Sequence, residues 1–207
     1  MQRDIDQSRI ILDLLESVDR DGERSQRSRA SEVGIALGLT NAYLKFCIKK
    51  GYLKARKISA RSYQYMLTPK GFAAKSRLAI SRLSESLNFV RATRVEFANV
   101  FIEAKKRQWT SAVIVGGSSL AEICTFCALE RSIKIVAIIE TVGEMDRMLG
   151  LPVYRDLSQV EEKFSGAVVA DLQNTAIMLK LARDMLGAER VLIPDFLRAG
   201  LPRLEAA

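Results

Sequence analysis

The chain has 207 residues, 48% of them hydrophobic and 27% charged, with a formal net charge of +8 and no histidine. This composition excludes a disordered or low-complexity chain, and the missing histidine removes the commonest general base and metal ligand. Three cysteines at irregular spacing form no disulfide framework, no apolar run reaches the ~18–20 residues of a membrane span, and the charged opening is no secretory signal, so a cytoplasmic location is expected.

The charge is unevenly spread. Residues 1–109 carry 22 Lys and Arg against 11 Asp and Glu, whereas residues 110–207 carry 10 against 13. Between Glu32 and Glu85 there is no carboxylate, while eleven cations fall in that gap. Such asymmetry suggests two units with different partners, the basic one drawn to phosphates.

In chain order, SRIILDLLESVDR (8–20) places Ile11, Leu14, Leu15 and Val18 at helical spacing. Ser25 is a candidate N-cap for a short second helix, which Gly34 ends. A third helix is expected over Leu37–Lys50, with Thr40, Leu44, Cys47 and Ile48 on one face and Asn41, Ala42, Lys45 and Lys49 on the other. Residues 52–57 and 63–68 read as two strands joined by a short loop, and Pro69 stops the second. From Phe72 to Val115 there is neither Gly nor Pro. Leu83, Leu87, Val90, Phe97, Phe101 and Ala104 recur at three- and four-residue steps, the pattern of one long helix, or two in series, packed along a seam. That seam is expected to pair two protomers through residues 72–108.

After Trp109 the pattern alternates between strands and helices: SAVIVGG strand, SLAEICTFCALERS helix, IKIVAIIE strand, LPVYRDL short element, SQVEEKF helix, GAVVADL strand, LQNTAIMLKLARDMLG helix, RVLIPDFL strand. Alternation of this kind implies a parallel sheet. The expected fold is therefore α/β overall, in three parts: a winged helix-turn-helix over 1–70, a long connecting helix over 71–109, and a Rossmann-like parallel α/β domain over 110–207.

A winged helix-turn-helix places its third helix in the major groove and its wing along the backbone. On that reading Asn41 bonds an adenine edge, Lys45 a guanine edge or a phosphate, and Ala42 a thymine methyl, with Lys49 on the same face. Gln26 and Arg27 meet the backbone. Lys54, Arg56, Lys57 and Arg61 supply phosphate or minor-groove contacts from the wing. The segment from about residue 8 to 85 resembles the MarR-type regulators associated with exopolysaccharide gene clusters, through Ser25-Gln26-Arg27, Gly34-Ile35-Ala36-Leu37-Gly38, Asn41, Gly51 and above all Tyr65-Met66-Leu67-Thr68-Pro69-Lys70-Gly71. The resemblance implies a sequence-specific transcription regulator with double-stranded DNA as its partner, and no enzyme. Where that family commonly has Ser at the start of the recognition helix, this chain has Ala36.

In the acidic half, VIVGGSSLAE follows a strand and opens a helix, where a dinucleotide fold wants G-x-G-x-x-G. Gly116 is kept, Ser118 replaces the second glycine and Ala121 the third, with Gly117 and Ser119 between them. Glu140 ends the second strand, placed to take ribose hydroxyls. The candidate ligand residues are thus Gly116, Gly117, Ser118, Ser119 and Glu140. VIVGGSSLAE, VAIIE, GLPVYRDL and GAVVADL resemble the Rossmann-like domain that begins NeuD-type sugar O-acyltransferases and certain nucleotide-sugar enzymes, which implies a nucleotide or nucleotide-sugar effector. A redox repressor of the Rex kind shares the domain order, with Ser118 counting against it. Two alternatives stand beside the effector-sensing regulator: a nucleotide-sugar enzyme with a basic appendage, and an effector-free DNA-binding dimer. Cys124 and Cys127 are expected to pack as small apolar residues, not to bind metal.

Overall fold

A computed structural model describes residues 2–59 and 62–201. The chain divides into two compact units, Met1–Leu87 and Asn88–Ala207. No helix among the described residues is long and apolar enough to cross a membrane.

The first unit runs α1 (Gln2–Arg20), α2 (Gln26–Val33), α3 (Leu37–Lys49), β1 (Leu53–Ser59) and β2 (Ser62–Leu67), then the first half of α4 (Pro69–Lys106). Ser25 accepts from the Ser28 amide and caps α2, which ends at Gly34 in the left-handed conformation. Only residues 34–36 separate α2 from α3. Ala36 opens α3 with no side-chain cap. β1 and β2 form an antiparallel hairpin, Leu53 opposite Leu67. Ile11, Leu15, Val18, Leu44, Cys47, Leu53, Tyr65 and Ala74 make the core.

The turn Leu67-Thr68-Pro69-Lys70-Gly71 has a local cause. Thr68 Oγ1 accepts from the Gly71 amide, which caps α4, and donates to the Gly51 carbonyl at 2.7 Å. Pro69 sits at the first helical position, where its missing N–H leaves no helical bond unmade. A Cβ on Gly71 would lie 2.0 Å from the Tyr52 carbonyl oxygen. Glycine is therefore required where α4 crosses the start of the hairpin.

The second unit begins with the rest of α4 and continues β3 (Ser111–Val115), α5 (Ser119–Glu130), β4 (Lys134–Ile139), β5 (Arg147–Met148), β6 (Leu151–Tyr154), β7 (Gly166–Val169), α6 (Thr175–Leu186), β8 (Val191–Leu192) and α7 (Asp195–Ala199). The sheet order is β5-β6-β4-β3-β7-β8. Every pairing is parallel except β5 with β6. The strand interiors are almost wholly apolar because both sheet faces are covered. This is a Rossmann-like α/β unit. The chain builds outward from β3 through β4 to β6, then returns to the other side of β3 with β7, so the strand order reverses between β3 and β7.

Three expectations are corrected here. The seam is not continuous: Leu83, Leu87 and Val90 are exposed, whereas Phe97, Phe101 and Ala104 are buried in the second unit's own core, Phe97 edge-on to Phe196. SQVEEKF forms only a 3₁₀ turn at Leu157–Gln159, capped by Asp156. RVLIPDFL gives a two-residue strand and then the short α7, because Pro194 cannot donate to a ladder and sits at the start of that helix.

Candidate ligand site

The C-terminal ends of β3, β4 and β7 lie level. The Gly116 amide donates to the Ile139 carbonyl at 2.8 Å, and the Ala170 amide donates to that of Val115 at 2.9 Å. The Glu140 amide donates to Tyr154 at 2.9 Å, extending the ladder toward β6. At this edge the chain turns from β3 into α5 through Gly116, Gly117 and Ser118.

Gly116 has φ +116, a region that L side chains rarely adopt. A Cβ there would lie 2.7 Å from Asp171 Cβ and 2.9 Å from the Ala170 carbonyl. At Gly117 a Cβ would fall 2.5 Å from Glu140 Oε2 and 2.9 Å from its Cγ, so a larger residue there would displace the Glu140 side chain. The Gly117 amide donates to Glu140 Oε2 at 2.6 Å, and the Val142 amide donates to Oε1 at 3.1 Å. The carboxylate therefore bridges the loop after β3 and the loop after β4. Arg155, just beyond β6, donates to the Glu140 carbonyl at 3.0 Å and to that of Met145, which ties down the loop after β4.

Ser118 is the N-cap of α5. Its Oγ accepts from the Leu120 amide at 3.3 Å and donates to the Ala170 carbonyl at 2.9 Å. Asp171 is buried, and its Oδ1 accepts from the amides of Gln173 and Asn174, satisfying donors at the start of α6. The loops after β3, β4 and β7 thus carry two carboxylates, Glu140 on the β4 side and Asp171 on the β7 side, and one serine ties across the reversal between β3 and β7.

Of the expected ligand residues, Gly116, Gly117, Ser118 and Glu140 come together. Ser119, the first residue of α5, is exposed and takes no part in these bonds. Sequence reasoning missed Asp171 and Arg155. The signal for Asp171 was Asp-Leu-Gln-Asn-Thr just before a helical pattern, a run of capping residues. Arg155 left no such signal, since its role depends on which carbonyls the fold brings beside it.

Among the expected DNA contacts, Ala42, Lys45 and Lys49 are exposed along α3, Lys54, Arg56 and Lys57 along β1, and Arg27 on α2. Gln26 instead donates to the Tyr65 hydroxyl inside its own unit. Asn41 is half-buried, its Oδ1 enclosed with no hydrogen-bond partner. Arg61 lies outside the described residues. Cys124 and Cys127 are buried in the second core; burial pushes the Cys124 thiol well up, and Cys127 donates to the Arg94 carbonyl.

No protein-family model and no curated protein matches this sequence. Solved structures do. Human N-acetylserotonin methyltransferase in complex with SAM matches at 11% identity over 81% of this chain and 68% of that one, with a TM-score of 0.31. The O-methyltransferase NcsB1 from neocarzinostatin biosynthesis, in complex with S-adenosyl-L-homocysteine, matches at 12% over 91% and 81%, with a TM-score of 0.32. PigF with SAH matches at 14% over 93% of this chain and 57% of its own, with a TM-score of 0.26.

These findings correct the expected kinships. The neighbours are methyltransferases, not MarR-type regulators or NeuD-type acyltransferases. The expectations built on those kinships go with them: a transcription regulator of exopolysaccharide genes, a double-stranded DNA partner, a nucleotide-sugar effector or enzyme, and a chain that is no enzyme.

Proposed function

We propose that the second unit binds a small ligand bearing a ribose-type vicinal diol, at the C-terminal ends of β3 and β4, with Glu140 accepting from the hydroxyls. The observation that carries this reading is the seating of Glu140. Its two oxygens each take one backbone amide, at 2.6 and 3.1 Å, which fixes the carboxylate beside the glycine turn. A carboxylate has about four lone-pair sites, so acceptor capacity remains for two hydroxyls. The position is also where open α/β sheets hold ligands, outside the strand ends next to the order reversal.

S-adenosylmethionine, the ligand bound in the N-acetylserotonin methyltransferase structure, has this chemistry: a ribose diol and a sulfonium cation suited to an acidic rim. It and S-adenosylhomocysteine are therefore the first probes. Isothermal titration of the full chain with S-adenosylhomocysteine and with adenosine tests the reading. Binding is expected, and Glu140→Ala is expected to weaken it roughly tenfold to a hundredfold, the effect of losing about 1.5–3 kcal/mol of charge-assisted hydrogen bonding. Equal affinity in the variant, or no heat with either probe, refutes the proposal.

For the first unit we propose a winged-helix architecture, supported by the three-residue turn between α2 and α3 and the hairpin that follows. A crystal structure in which α3 fails to follow α2 at a tight turn would overturn it.

A further inference from the structure

Resting on that reading, we infer that the site discriminates against phosphate: it takes a single nucleoside without phosphoryl groups and bars nucleotides and dinucleotides. Glu140 and Ser118 are the residues that set this specificity.

The first ground is occupancy. In a phosphate-binding turn, backbone amides at the helix start face the anion. Here the amide of Gly117 already donates to Glu140 Oε2, and that of Leu120 to Ser118 Oγ. The chain has put its own carboxylate and hydroxyl where a pyrophosphate would need donors. A phosphate entering would have to displace both, and it would meet a second anion, Asp171, beside Gly116. The nearby guanidinium of Arg155 offers little compensation, since it donates to the carbonyls of Glu140 and Met145.

The second ground is reach. A dinucleotide runs from one half of the sheet to the other across the reversal between β3 and β7. Ser118 Oγ bridges those two loops by donating to the Ala170 carbonyl at 2.9 Å. Gly116 packs so closely on Ala170 and Asp171 that no methyl group fits between them. The crossing is closed, and a ligand held by Glu140 is confined to the β4 side of β3.

The test is a titration series on the full chain: adenosine and S-adenosylhomocysteine against AMP, ATP and NAD+. The wild type is expected to bind the two phosphate-free probes at least tenfold more tightly than the other three. Ser118→Gly keeps an acceptable cap residue while removing the bridge. It is expected to narrow the gap between NAD+ and adenosine. Ser118→Ala, which keeps a Cβ, is the control for folding, read by circular dichroism. AMP or NAD+ binding as tightly as adenosine in the wild type overturns the inference while leaving the diol site standing. If none of the five probes binds, the site and the inference fall together.

Discussion

Arg29 lies over the ring of Tyr65, its guanidinium carbon 5.8 Å from the ring centroid, and none of its side chain reaches solvent. Its Nη1 donates to Ser17 Oγ at 2.9 Å and its Nη2 to the Asp21 carbonyl, while Nε has no partner. One cation thus joins α1, the turn after it, α2 and the hairpin. Burial pulls its pKa down, against the pull of Asp21 and Glu32. Removing one member of such a buried group leaves the others unpaired. Arg29→Ala is expected to destabilise the first unit by about 3 kcal/mol. Urea unfolding followed by circular dichroism measures this. A midpoint equal to wild type would show that the cation contributes nothing net.

Glu32 stands at the other end of the same network. It accepts from Ser17 Oγ at 2.7 Å and pairs with Arg24 and Arg20 at 2.8 and 3.0 Å. The Ser17 hydrogen bond, ahead of the two arginines, holds its pKa below the usual carboxylate value, although desolvation opposes this. A depressed folded pKa gives stability that is full above the unfolded value, about 4.3, and is lost as the pH falls through the folded one. Stability of the first unit should therefore drop below about pH 4.3 more steeply in wild type than in Glu32→Gln. Parallel pH dependences in the two proteins would remove Glu32 from the acid response.

How much of this was legible in advance differs between the units' parts. Periodicity located α1, α3, β3, β4 and α6, because a buried strand of Val and Ile or a helix with one apolar face writes its pattern into consecutive residues. Phe97 and Phe101 continued the spacing of Leu83 and Leu87, so they read as one seam. Spacing records a helix face but not what covers it, and one segment proved to be core while the other stayed exposed. At the site, Gly116 and Glu140 were visible as the remnant of a phosphate turn. That Glu140 would accept from the Gly117 amide was not, since it depends on parallel register between β3 and β4. The basic run of residues 33–84 was equally visible, but charge alone does not name a partner.

Gly166 begins β7 against the indole of Trp109. A Cβ added there would lie 2.2 and 2.3 Å from Cζ2 and Cη2 of the indole and 2.6 Å from the Arg190 carbonyl. Trp109 is the single tryptophan of the chain and is 5% exposed. Gly166→Ala should therefore destabilise the second unit by about 1–3 kcal/mol through overpacking. It should also shift tryptophan emission to the red as the ring is pushed toward water. Adding Trp109→Phe should recover part of the loss, a coupling that a double-mutant cycle measures. Additive effects would place the strain elsewhere.

Ala36 offers a change of opposite sign. It has the extended backbone of an N-cap, φ −61 and ψ 144, and its carbonyl accepts from the Thr40 amide at 3.0 Å, but its methyl group caps nothing. Ser25, in the same role on α2, accepts from the Ser28 amide at 3.1 Å. Ala36 is exposed, so a hydroxyl there adds an acceptor for the free amides of α3 with no burial cost. Ala36→Ser is expected to stabilise the first unit by about 0.5–1 kcal/mol, and Ser25→Ala to destabilise it by about 1 kcal/mol. Chemical denaturation of both variants beside wild type gives the two signs directly. A stability loss in Ala36→Ser would mean that α3 begins at a different residue.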